Sequence, residues 1–203
     1  MKLPFTREPM KKEIENLKIS HAEANCVESI SDRLLSSLQH VPSHQPIVVV
    51  CVGTDRSTGD SLGPLVGTQL QKKKIDDLHL YGTLENPVHA MNLSETLTMI
   101  QQHFNNPYII AVDACLGQLT SVGCIQIGQG PVKPGAGVNK ELPPVGDMHV
   151  TGIVNVGGFM EYFVLQNTRL SLVMNMAEVI SRSFYSALTN RRRFTPTSLV
   201  QNE

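Results

Sequence analysis

Two aspartates, Asp60 and Asp113, follow the most strand-like segments of this chain, and a pair of that kind can activate water. Asp60 lies in GTDRSTGDSLGP (53–64), the Gly-rich turn after IVVVCV (47–52), and Asp113 lies at the end of YIIAVDA (108–114). Like charges held close cannot both ionise easily, so one pKa rises and the pair shares a proton. One member is then a base for water and the other an acid for a leaving group. A helix N-terminus after Asp60 favours its ionised form, whereas the apolar neighbours of Asp113 favour protonation, which makes Asp60 the base. Read singly, Asp60 or Ser61 would serve as a helix cap worth ~1 kcal/mol, and Asp113 as a turn former after its strand.

The Gly-rich turn does not suit a phosphate. Five residues separate Gly53 from Gly59, and Asp60 stands where a phosphate loop needs its lysine. Asp55 likewise replaces the second glycine through which a dinucleotide loop approaches a pyrophosphate.

For the two carboxylates to meet, their strands must be neighbours, ~4.8 Å apart in a parallel sheet, with both loops at the carboxyl ends where open α/β sheets bind ligands. IVVVCV and YIIAVDA are continuous apolar runs, the signature of strands covered on both faces. Helices are predicted over 20–40, where Ala24, Val27, Ile30, Leu34, Leu35 and Leu38 share one face, and from near Pro64 and Leu93. Pro64 suits a first helical position. Weaker strands are expected at 78–83 and 123–128, followed by a Gly- and Pro-rich loop (128–146) and helices over 158–166 and 170–188. The alternation specifies an α/β fold, a three-layer α/β/α sandwich with a mostly parallel central sheet. Residues 1–19 are expected to be a loose arm, 20–190 one α/β domain and 191–203 a tail.

Composition narrows the function. The 203 residues are 41% hydrophobic and 17% charged, enough apolar material for one core, with a mean hydropathy of -0.07. A net charge of -1 gives no field that would draw the chain to nucleic acid. The longest purely apolar run, Ile47 to Val52, is far short of the ~20 residues of a membrane span, and a cytoplasmic location is expected. Cys26, Cys51, Cys115 and Cys124 form no C-x-x-C pair and read as buried thiols.

VGTDRSTGDSLGP, IIAVDA and IQIGQGPVKPGAGVNKEL, in this order, resemble the germination protease of endospore-forming bacteria and its short sporulation-associated relatives. The resemblance spans roughly residues 47–158. It implies Asp60 and Asp113 as the catalytic aspartates, Gly59, Pro134, Gly135 and Gly137 as substrate contacts, and small DNA-protecting, acid-soluble spore proteins as the substrate. A more distant similarity is to hydrogenase-maturation endopeptidases, whose fold is an α/β sandwich of the phosphorylase/hydrolase-like type and whose site is guided by a metal. It implies a divalent transition metal held by Asp60, Asp113 and His149, the last in MHVTGI 36 residues after Asp113. Three ligands so far apart are weak as a motif.

The first reading is therefore an aspartic-type peptidase that needs no cofactor. The alternatives are a metal-associated maturation endopeptidase and a catalytically silent peptide-binding module. The expected partner is a protein or peptide substrate, with no nucleic acid or membrane, and self-association into a homo-oligomer is compatible with the chain. Lesser candidates are the PGAGV loop as an anion nest, bordered by Lys133 and Lys140, His89 at the rim, and Cys115 as a nucleophile with His149 as its base. Met174 and Met176 read as core filler, and Arg191, Arg192 and Arg193 as a solvated helix end.

Overall fold

The computed structural model describes residues 16–135 and 142–194, with 192–194 described in backbone only. The two continuous apolar runs form adjacent central strands: β2 is Ile47–Cys51 and β4 is Tyr108–Gly117. They pair in parallel, Cys51 opposite Val112. The remaining strands are β1 (Leu17–Ser20), β3 (Leu78–Tyr81), β5 (Cys124–Gln129) and β6 (Met148–Val156), and the sheet order is β1-β5-β6-β4-β2-β3. β5 runs antiparallel to both its neighbours, so it alone opposes the common direction.

Helices α1 (Cys26–Leu38), α2 (Leu62–Lys73) and α5 (Leu170–Phe194) cover one face, and a short α4 (Glu161–Gln166) precedes the last of them. Ile30, Leu34, Leu62, Val66, Val173, Met176 and Phe184 meet Val49, Val112, Val150 and Ile125 of the sheet there. Helix α3 (Leu93–His103) packs Leu93 and Ile100 on the other face, against Val48, Val50 and Ala111. The crossovers that leave β2 and arrive at β4 thus lie on opposite faces. That arrangement opens a crevice at the carboxyl ends of these two strands.

Several expectations shift. Leu17–Ser20 is an edge strand, because Ile19 is buried opposite Ile125, and α5 continues to Phe194; the packed unit therefore extends past 20 and 190 at both ends. β6, a strand the sequence pattern does not predict, takes the central place between β5 and β4. Pro64 is the third residue of α2, still within the first turn where no N–H is required. Met176 is fully buried, but Met174 is 49% exposed. Arg191 donates to the carbonyls of Val41 and Pro42, tying α5 to the end of α1 rather than solvating freely.

Candidate active site

Asp113 is the sixth residue of β4, one step beyond the last residue paired with β2. Its side chain therefore stands where the sheet opens at the end of β2. On the other side it pairs with Thr151 of β6, which pairs with Gln126 of β5, which pairs with Lys18 of β1. Cross-strand partners share a face, so a polar row runs across four strands on the face that carries α3. Cys115 follows two residues on, again on that face.

Asp60 is brought to the same crevice by the turn after β2. A 3-10 turn, Gly59–Ser61, leads directly into α2. Gly53 has φ +144°, and a Cβ there would stand 2.0 Å from the carbonyl oxygen of Asp60, which also accepts the Thr54 amide at 3.1 Å. Only glycine lets the chain fold back this closely. Gly59 is buried, and a Cβ on it would meet Leu165 of α4 at 2.7 Å. The glycine expected to touch substrate thus seats α4 on the turn. Neither Asp60 nor Ser61 caps a helix: α2 has no side-chain cap, and Ser61 Oγ donates to the Thr58 carbonyl at 2.7 Å.

The charge of Asp60 reaches Asp113. Asp113 is 9% exposed, and burial pushes its pKa to about 8; the Ala114 amide, donating to its Oδ1 at 2.9 Å, pulls down, and the nearby charge of Asp60 pushes further up. Asp60 is part-buried and its pKa is also raised by burial, with Ser57 pulling the other way. The expected preference of Asp60 for the ionised form is thus opposed by its own burial. Asp113 is the deeper member, and its burial favours the protonated form. Ser57 was not singled out from the sequence, because an exposed-looking DRSTG turn gives no hint that this hydroxyl is buried.

The other candidates lie elsewhere. His149 pairs with Ala111, two residues before the Asp113–Thr151 pair, a step of roughly 7 Å along the strand. Its Nδ1 lies 2.9 Å from the Gly130 carbonyl, and its ring lies against Gly128 of β5. It therefore turns away from the acid pair, and among the described residues no three His, Cys, Asp or Glu side chains gather as metal ligands. The set Asp60, Asp113 and His149 does not fit a metal ion. Burial lifts the Cys115 thiol to about 11, Thr151 lowers it only in part, and His149 is engaged at Gly130, so the surroundings of Cys115 do not favour a thiolate. His89 accepts the Met91 amide at its Nδ1 and belongs to the turn before α3.

Pro134 is buried and Gly135 has φ +92°, just past a bridge between Val132 and Val145 that packs near Ala111; no described hydrogen bond joins either to the acid pair. Lys133 is exposed, while Gly137 and Lys140 lie outside the described residues. A separate cleft of about 450 Å³, lined by Leu97, Phe104, Ile109, Pro144 and Asp147, opens at the amino end of β4. Its acid is engaged, Asp147 Oδ2 accepting the Ile109 amide at 2.8 Å.

The described cysteines are all free thiols, and no described helix is long and apolar enough to cross a membrane. A solved structure, the NiFe hydrogenase maturation protease HycI from Thermococcus kodakarensis KOD1, superposes with a TM-score of 0.48 at 19% identity, covering 76% of this chain and 99% of that one. Likeness at that level carries no chemistry. A Bacillus subtilis (strain 168) chain with the name "Uncharacterized protein YyaC" is 58% identical over 173 residues, 85% of this chain and 83% of its own length. Residues 18–183, a span that holds both aspartates, match the family described as "Protein of unknown function (DUF1256)", and the chain belongs to that family.

Proposed function

We propose that this protein is a peptidase in which Asp60 and Asp113 share one proton and activate a water molecule against a peptide bond of a protein substrate. One observation carries the reading: a carboxyl group is buried at the carboxyl end of a central strand, within the field of a second carboxyl. Burying an acid this way costs several kcal/mol unless it is paired or kept neutral. No cation among the described residues compensates Asp113, whose only donor is the amide of the next residue.

At neutral pH the shared proton sits on Asp113, the deeper member. Water adds its oxygen to the carbonyl carbon while Asp60 takes the water's proton and Asp113 gives its proton to the carbonyl oxygen. Asp60 then passes its proton to the amide nitrogen as the C–N bond breaks. Asp113 recovers a proton from the collapsing diol, which leaves a carboxylic acid, an amine and the starting pair.

The surroundings favour a polypeptide over a small polar substrate. Phe159 is 85% exposed, and Met160, Tyr162 and Phe163 are exposed beside it at the start of α4, the helix seated on the Asp60 turn. Large apolar side chains next to a crevice suit a chain that presents side chains of its own. The resemblance to the germination protease points to small acid-soluble spore proteins.

The test is to incubate wild type, Asp60→Asn and Asp113→Asn with purified small acid-soluble spore proteins and with a spore protein extract, and to identify fragments by mass spectrometry. Each substitution removes one half of the proton exchange, so cleavage falls by about 100-fold or more in both. Cleavage undiminished in both variants overturns the reading.

A further inference from the structure

We propose that Ser57 is a positioning residue of the acid pair: its buried hydroxyl, three residues ahead of Asp60 in the same turn, donates to the ionised Asp60 carboxylate and so selects Asp60 as the charged member. The inference deepens the paired-carboxylate reading and rests on it. Ser57 is 5% exposed, yet its Oγ has no hydrogen-bond partner among the described residues, while Asp55 and Arg56 just before it are exposed. A hydroxyl buried without a partner costs about 1–3 kcal/mol. Such a group is explained by a partner that comes and goes.

Asp60 supplies that partner. The hydroxyl already lowers the proton affinity of this carboxyl, which places it beside the acid, though short of a formed hydrogen bond. A serine rotamer change or a turn of the carboxyl group closes the remaining gap. A donor aimed at a carboxylate favours the charged form. The donor bonds most strongly when Asp60 is ionised, so hydrogen bonding and ionisation are coupled.

Beyond the N-terminus of α2, the side chains around Asp60 among the described residues offer no other selector. From β4 comes Asp113, of like charge, with Cys115 beyond it; Lys18 of β1 acts on Cys115. Helix α4 turns Leu165 to the turn, and its Glu161 lies near the Gly158 amide, at 3.3 Å. Helix α2 places its charges, Lys72 and Lys73, in its last turn, away from the 3-10 turn. Helix α5 brings Met176 towards Leu62 at Gly152, while Glu178 pairs with Arg182 further along.

The experiment is a carboxyl-carbon NMR titration of Asp60 and Asp113 in wild type, Ser57→Ala, Ser57→Cys and Ser57→Thr, together with the pH profile of cleavage. Ser57→Ala raises the lower apparent pKa by about one unit, a tenfold gain in proton affinity, and moves the acid limb of the profile by the same amount. Ser57→Cys, near-isosteric but a weak donor, gives part of that shift and covers the case of an unfolded alanine variant. Ser57→Thr, which keeps the hydroxyl, restores the wild-type value. An Asp60 titration that does not move in folded Ser57→Ala or Ser57→Cys overturns the proposal, as does a threonine variant that behaves like alanine. Because the titration needs no turnover, it decides the role of Ser57 even where Asp60→Asn and Asp113→Asn dispose of the peptidase reading.

Discussion

Replacing Asp113 by asparagine should make the protein more stable at neutral and mildly alkaline pH. In the folded chain its pKa lies at about 8, against 3.8 for the free side chain. An acid whose folded pKa is raised holds its proton more tightly folded than unfolded, so stability is fully present below about pH 4 and is lost as pH climbs to about 8. Across that window the folded state keeps one proton more than the unfolded state. The slope is then about 1.4 kcal/mol per pH unit, and the whole window amounts to about 5–6 kcal/mol. That figure is an upper bound, because relaxation and water entry share the burden in a folded protein. Asp60, also raised by burial, adds a slope of the same sign.

Asparagine keeps the oxygen that accepts the Ala114 amide and removes the charge. Urea unfolding of wild type and Asp113→Asn at pH 5, 6, 7 and 8 reads the difference directly. Wild type should weaken steadily with rising pH, and Asp113→Asn should stay flatter and lead by several kcal/mol at pH 8. A variant less stable than wild type at pH 8, or parallel profiles for the two proteins, would refute the buried protonated acid.

Two further outcomes separate chemistry from architecture. His149→Ala should leave cleavage near the wild-type rate and indifferent to EDTA, with only about 1 kcal/mol of stability lost with the Gly130 contact; activity abolished by chelation would return a metal to the site. Gly53→Ala should destabilise by about 3 kcal/mol or more, since the new Cβ meets the Asp60 carbonyl oxygen at 2.0 Å and φ +144° is hostile to side chains. Wild-type urea stability for that variant would mean that the turn does not depend on the close approach.

β2 and β4 were legible because a strand buried on both faces must be apolar at every position, and IVVVC is buried throughout. β6 was not, although most of its residues are buried. Its helix-facing positions are Met148, Val150, Gly152 and Val154, and Gly152 is required because Leu62 and Met176 crowd the space a Cβ would fill. Its other face carries His149 and Thr151, of which Thr151 belongs to the row beside Asp113, and a register shift past Cys115 turns Asn155 to the Val164 carbonyl and Thr168 hydroxyl instead. A strand that serves both a helix contact and a polar crevice shows neither a continuous run nor a clean alternation. β1 was hidden for a different reason: with Ile19 as its one buried residue, its pairing with β5 is a tertiary effect that no local pattern announces.

The same reasoning explains why His149 looked like a ligand and Ser57 did not. Spacing along the chain puts His149 within reach of Asp113 only if its strand register is free, and the Ala111–His149 pairing fixes it two residues below, against β5. Register, once set by the apolar face, dictates the polar face as well. Asp60 and Asp113 differ in the same way. One sits on a turn, held by backbone contacts and part-exposed; the other sits inside a strand flanked by two neighbours for part of its length. A strand residue cannot retreat from burial without breaking its ladder, whereas a turn residue keeps one side open to water. The division of labour between base and acid therefore follows from where the chain places each carboxyl, and moving Asp113 out to the turn would equalise the pair and remove it.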